Sequence, residues 1–243
     1  MIKLFKCISL LIVTLYLIYG SNVFAGKILK YDIKKQESLH DNSVLFFMHG
    51  WGGSKKGYKE IISEFGDDFT IVILQAPYRM GWFSGKFSWY DWQIVDGDTT
   101  SNQEQINFSS QSVLRTIDHI VRKENLDIKN VFIGGQSQGA IMACKLASEN
   151  PGSMRGFIAH NGRLPVVFDP VNGDDFSKLH GLVMNGEYDK VLPPKYAKSI
   201  VNKFKNLGVN IDSISPEIGH GMPKESQRMI QEWINSILSE PYK

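Results

Sequence analysis

The chain has 243 residues, 42% of them hydrophobic and 21% charged, a balance that suits one globular domain with a sizeable core and excludes a disordered or fibrous polymer. The formal charge is +2, yet residues 1–25 carry two lysines and no acid, so 25 basic residues face 25 acidic ones in the remainder. No basic tract is left to point to nucleic acid.

Those first 25 residues read as an export signal. Lys3 and Lys6 precede an uncharged run of 13 residues, and Val23-Phe24-Ala25 ends the segment on a site that a signal peptidase reads. The run is shorter than the roughly 20 residues that span a bilayer. The expectation is cleavage after Ala25, a secreted or periplasmic domain over residues 26–243, and no stable membrane anchor. Cys7 would leave with the signal, and Cys144 alone cannot form an intramolecular disulfide, so stability must come from the core.

Beyond the signal, apolar segments rich in β-branched residues alternate with segments of helical period. Strands are expected at residues 28–33, 44–49, 69–74, 131–135, 156–160, 182–185 and 209–214. Helices are expected at 57–65, 108–124, 138–149, 195–207 and 224–238. Val44-Leu-Phe-Phe-Met48 is continuously apolar, as strands covered on both faces are. The alternation predicts a single α/β domain: a mostly parallel twisted sheet with helices on both faces, and functional residues at the carboxyl ends of its strands.

The first strand end to carry chemistry is His49-Gly50-Trp51-Gly52-Gly53, a glycine-rich loop suited to donating a backbone N–H. Its continuation, Gly52-Gly-Ser-Lys-Lys-Gly57, is not a phosphate loop, because Tyr58 stands where the lysine belongs. No G-x-G-x-x-G occurs, so nucleotide binding is excluded. Residues 78–92 then hold seven aromatics with neither helical nor strand period. Such a loop can wall an acyl site, with Trp82 and Phe83 the candidates, while Trp89-Tyr-Asp-Trp92 reads as structural packing.

Gly135-Gln-Ser137-Gln-Gly139 joins an expected strand to an expected helix, the setting of a G-x-S-x-G nucleophile elbow. A serine needs a base, and the base an orienting acid. Asp189 follows the 182–185 strand, and His220 lies in a glycine-flanked loop before the last helix. Ser137, Asp189, His220 is the chain order of α/β-hydrolases. Glu187 is the rival acid; His49 and His160 end strands and can line the site, but both precede the acid. The expected oxyanion donors are the N–H groups of Trp51 and Gln138. No metal or cofactor is called for.

HGWGG at 49–53, QAPYR at 75–79, SWYDW at 88–92, GGQSQGA at 134–140, HNGRLP at 160–165, GEYDKVLP at 186–193 and GHGMP at 219–223 together resemble the phospholipase/carboxylesterase family of α/β-hydrolases, which includes acyl-protein thioesterases. The family's typical forms include GFSQGG, SGxLP and GHxV; here Trp51 replaces the usual leucine, His160-Asn161 replaces the serine before the glycine, and Met222 replaces a valine-like residue after the histidine loop. The resemblance implies the α/β-hydrolase fold, a Ser-His-Asp triad and an aromatic loop that helps cover the acyl chain. The segment between His160 and Leu179 is too short for a large cap. The expected activity is a serine esterase acting on small or lipid-like carboxylic esters, including thioesters. A lysophospholipase or feruloyl/polyester-type esterase would use the same residues, and a catalytically idle binding protein is the alternative outside enzymes.

Overall fold

The computed structural model describes residues 26–35, 42–60 and 65–240. The expected export signal therefore lies outside the described residues, as do residues 61–64 of the helix expected at 57–65, of which Lys59 and Glu60 are helical. Among the described residues the strands are β1 (Tyr31–Lys34), β2 (Val44–Met48), β3 (Thr70–Leu74), β4 (Tyr78–Arg79), β5 (Phe87–Ser88), β6 (Trp92–Val95), β7 (Asp98–Ser101), β8 (Val131–Gln136), β9 (Gly156–His160), β10 (His180–Met184) and β11 (Asn210–Ile214). The helices are α1 (Gln103–Glu124), α2 (Gln138–Glu149), α3 (Lys195–Asn206) and α4 (Lys224–Ser239).

Seven strands form the central sheet in the order β1-β3-β2-β8-β9-β10-β11, with β1 antiparallel at the edge and every other pairing parallel. Every residue of β2, β3, β8 and β9 is buried. Alternate side chains nonetheless divide between two cores. Val44, Phe46 and Met48 pack with Ile133 and Phe157 against Val113, Ile117 and Ile120 of α1, Met142 and Leu146 of α2, and Ile200 and Phe204 of α3. Leu45 and Phe47 pack on the other face with Phe132, Ile158 and the Ile230, Trp233 and Ile234 face of α4. A continuous apolar sequence is thus what a sheet covered on both sides requires, even though the pleat still has period two.

Several element edges differ from the sequence expectation for local reasons. Residues 28–30 do not extend the edge strand, because the N–H groups of Lys27 and Leu29 donate to Ser112 Oγ and Thr116 Oγ1 on α1. Helix α1 starts at Gln103, five residues before the expected position, where Asn102 accepts from the Gln105 N–H at 3.1 Å as its cap. The loop at 78–92 contains a two-stranded turn, β4–β5, and β6–β7 follows as a second hairpin. The segment from Asn161 to Leu179 has no helix or strand, so among the described residues it forms no large cap over the carboxyl edge. Among the described residues, no helix is long and apolar enough to cross a membrane.

Two histidines are enclosed by this packing. His49 Nδ1 faces the Gly50 carbonyl at 2.8 Å, and its Nε2 accepts from the Ala76 N–H at 3.2 Å, so a second ring proton has no place. Burial pushes both His49 and His160 down to about 4, and the charge of nearby His220 pushes His160 the same way.

Two measurements test these features. In the unfolded chain both histidines titrate near 6.5, so between there and about 4 the unfolded state binds more protons and stability falls as pH drops. At 1.36 kcal/mol per pKa unit, each histidine removes about 3 kcal/mol across that window. Urea midpoints from pH 7 to pH 4 should fall steeply, and His160→Gln should remove about half of the histidine part of the slope. Asn102→Ala should cost about 1 kcal/mol at an unchanged urea m-value, as loss of a helix cap does.

Candidate active site

The parallel strands β2, β8, β9 and β10 end on one edge of the sheet, and the loops that follow carry the candidate residues. Ser137 links β8 directly to α2 with φ 57° and ψ −116°, a sparsely populated conformation for a residue with a Cβ. The turn is held from both sides: the Ser137 N–H donates to the His160 carbonyl at 2.9 Å, and the Ser137 carbonyl accepts from Ile141 N–H at 3.1 Å. The flanking glycines are required by contact. A Cβ on Gly135 would lie 2.3 Å from the Gly139 carbonyl carbon, and one on Gly139 would lie 2.1 Å from the Met48 oxygen.

His220 Nε2 stands 2.9 Å from Ser137 Oγ, and its Nδ1 stands 2.7 Å from Asp189 Oδ2. Asp189 is buried, and its other oxygen accepts from the Val191 and Leu192 N–H groups, both at 2.8 Å. An acceptor carboxylate at Nδ1 assigns the ring proton to that nitrogen. Nε2 is then free to accept from the serine hydroxyl. Glu187, the rival acid, is exposed instead. The loops of Asp189 and His220 touch closely, for a Cβ on Gly186 would lie 2.4 Å from the Ile218 oxygen.

The loop after β2 borders the same space. Of its amides, Gly50 N–H donates to Tyr58 Oη, Gly52 N–H to the Phe87 carbonyl and Gly53 N–H to the Gly50 carbonyl. Among the described residues the Trp51 N–H has no protein acceptor, nor does the Gln138 N–H that opens α2. The Gln138 side chain is otherwise engaged: its oxygen accepts from Trp89 N–H at 2.9 Å and its nitrogen donates to the Tyr90 carbonyl at 2.7 Å. That explains the buried Trp89 and Tyr90, which brace the serine turn; Trp89 Nε1–H also donates to the His49 carbonyl.

The residues expected to contact substrate differ in exposure. Trp82 and Phe83 occupy the tip between β4 and β5 and are 87% and 97% exposed, projecting into solvent rather than packing as a wall. The His160 ring is fully covered, so it offers no surface to a substrate, and among the described residues neither ring nitrogen has a hydrogen-bond partner. The exposed aromatic on the loop after β2 is Trp51, whose ring meets that of Trp92 edge-on at 6.1 Å.

Sequence reasoning passed over three polar side chains here, Tyr58, Gln136 and Asn161. Each bonds the backbone of a loop that carries a candidate residue. The only sequence signal was that His160-Asn161 departs from the family pattern.

Comparison with known proteins agrees with this architecture. A family model described as Phospholipase/Carboxylesterase matches residues 31–238. The acyl-protein thioesterase 1 homolog 1 of Dictyostelium discoideum is 25% identical over 215 residues, covering 85% of this chain and 95% of that one. Lysophospholipase-like protein 1 of Mus musculus is 27% identical over 208 residues, covering 79% and 86%. Among solved structures, the carboxylesterase of Bacillus cereus superposes with a TM-score of 0.73 at 16% identity, covering 91% of this chain and 98% of that one. Acyl-protein thioesterase 2 of Zea mays gives 0.71 at 19% identity, covering 86% and 99%. These structural likenesses speak for the α/β-hydrolase fold, and the family match over most of the chain decides membership. The chain belongs to the phospholipase/carboxylesterase family.

Proposed function

We propose that the protein is a serine esterase that cleaves carboxylic esters, thioesters included, through an acyl-enzyme on Ser137. The observation that carries this reading is the hydrogen-bonded series Ser137 Oγ, His220, Asp189, with the carboxylate buried and doubly bonded to backbone. As the hydroxyl oxygen attacks the ester carbonyl carbon, its proton passes to His220 Nε2, and Asp189 stabilises the resulting imidazolium. The carbonyl oxygen becomes an oxyanion that the unengaged N–H groups of Trp51 and Gln138 are free to bind. Collapse breaks the ester bond, and His220 returns the proton to the departing alcohol or thiol. Water then repeats the sequence on the acyl-enzyme and releases the acid.

The substrate class follows from the setting. The carboxyl edge has no large cap, and Trp51 stands 53% exposed beside the proposed oxyanion donors, offering an apolar face to one side of an ester. Small and lipid-like esters both fit that description. The printed names of the relatives span thioesterase and lysophospholipase-like proteins, which supports the same breadth. The lysine-flanked apolar run at the N-terminus supports export, so we place the working enzyme outside the cytoplasm.

A fluorophosphonate probe should label the wild-type protein and fail to label Ser137→Ala; labelling that survives the substitution would remove Ser137 from its proposed role, and a wild type that never labels would favour a binding protein of this fold. His220→Ala should lower p-nitrophenyl butyrate turnover by roughly 10⁴-fold or more, as loss of a triad base does. Asp189→Asn should lower it by about 10⁴-fold through the wrong histidine tautomer. Rates across esters of two to sixteen carbons would then separate a short-chain esterase from a lysophospholipase.

A further inference from the structure

His220 stands on residues 215–223, which contain no helix or strand, and glycine lies on either side of it. An imidazole so carried must still be held within about 0.5 Å of its working position. Its backbone is held by side-chain amides. Gln136 Nε2–H donates to the His220 carbonyl at 2.9 Å. Asn161 Nδ2–H donates to the carbonyls of Gly219 and Gly221 at 3.3 and 3.0 Å, and Asn161 Oδ1 accepts from the Gly186 N–H at 2.8 Å. Asn161 thereby ties the loop of the base to the loop of the acid.

Gln136 reaches in a second direction. Its Oε1 accepts from the Tyr58 hydroxyl at 2.6 Å, and that hydroxyl oxygen accepts from the Gly50 N–H at 3.3 Å. The His220 carbonyl can only accept, so the amide nitrogen must face it and the amide oxygen must face Tyr58. The series therefore runs one way, from Gly50 N–H through the Tyr58 hydroxyl and the Gln136 amide to His220. Burial raises the Tyr58 pKa and keeps the donor proton in place. Packing reinforces the bonds, because a Cβ on Gly50 would lie 2.8 Å from Gln136 Oε1.

We infer that Gln136, acting with Tyr58, is a positioning residue that sets the distance between the loop donating the Trp51 N–H and the loop carrying His220. This rests on the serine-esterase reading above. Gln136 is the residue immediately before Ser137, so the link passes beside the serine turn and joins the backbone of Gly50 to that of His220. A side chain without an amide at this position could make neither bond.

The test uses the whole folded protein with Gln136→Met, which keeps the length and removes both bonds, Tyr58→Phe, and the double variant. Gln136→Met should lower kcat for p-nitrophenyl butyrate about 10- to 100-fold, the effect of a misplaced catalytic group, with KM within about twofold. Tyr58→Phe should lower kcat about threefold or more, and the double variant should be about as slow as Gln136→Met alone, since both changes cut one link. Fluorophosphonate labelling should slow by the same factor as kcat, and urea midpoints taken alongside separate this from loss of folded protein. A wild-type kcat in Gln136→Met, a change confined to KM, or additive losses in the double variant would overturn the inference. If Gln136→Met does not fold, Tyr58→Phe decides alone, and wild-type kcat there overturns it. A wild type that labels at Ser137 while both variants keep full kcat sinks this inference only; a wild type that never labels sinks the esterase reading beneath it.

Discussion

Ser137 is held at φ 57° and ψ −116°, and the chain around it is arranged to keep it there. Such a conformation costs of order 1–3 kcal/mol and persists only where its surroundings over-determine it. Here β8 enters the turn fully buried, α2 leaves it along the strands β8 and β9, and the serine's own N–H and carbonyl are both bonded. The approach of Gly139 to the Met48 carbonyl brings β2 to the same point, so the loop with Trp51 lies beside the serine by construction. The strain has a use in the proposed chemistry: it lifts Oγ off the sheet edge toward His220.

The two apolar cores supply the rigidity for this arrangement, and buried amides supply its alignment. Gln138 binds the Trp89–Tyr90 backbone, Asn161 spans the loops of Asp189 and His220, and Gln136 spans those of Gly50 and His220. Each amide presents a donor and an acceptor in a fixed geometry, so it can join two loops that have no secondary structure in common. Hydrophobic burial is non-directional and could not set these distances. The exposed tip contrasts with this, since neither the Trp82 nor the Phe83 ring is buried in a core.

The histidines show how environment divides one residue type among roles. His49 and His160 are enclosed, and their charged form is disfavoured by lost hydration. His220 keeps part of its surface open and has a buried carboxylate at one nitrogen and a hydroxyl at the other. Position along the chain separates them too, since only His220 follows Asp189.

Periodicity and strand-end logic determined much of this protein from its sequence alone. The covered parallel sheet was written in Val44-Leu-Phe-Phe-Met48, whose every residue is buried, and the order Ser137, Asp189, His220 was enough to expect the three to meet. Such features are legible because they depend on burial and chain direction, which residue type and spacing encode. What sequence left open was decided by tertiary contact: where α1 begins, that Trp82 and Phe83 face solvent, that His160 is sealed, and that Tyr58, Gln136 and Asn161 hold the loops. A glutamine beside a serine has the same local appearance whether or not a carbonyl 84 residues away lies within reach of its nitrogen. Side-chain hydrogen bonds require that second group at a set distance and angle, and only the folded chain brings it there.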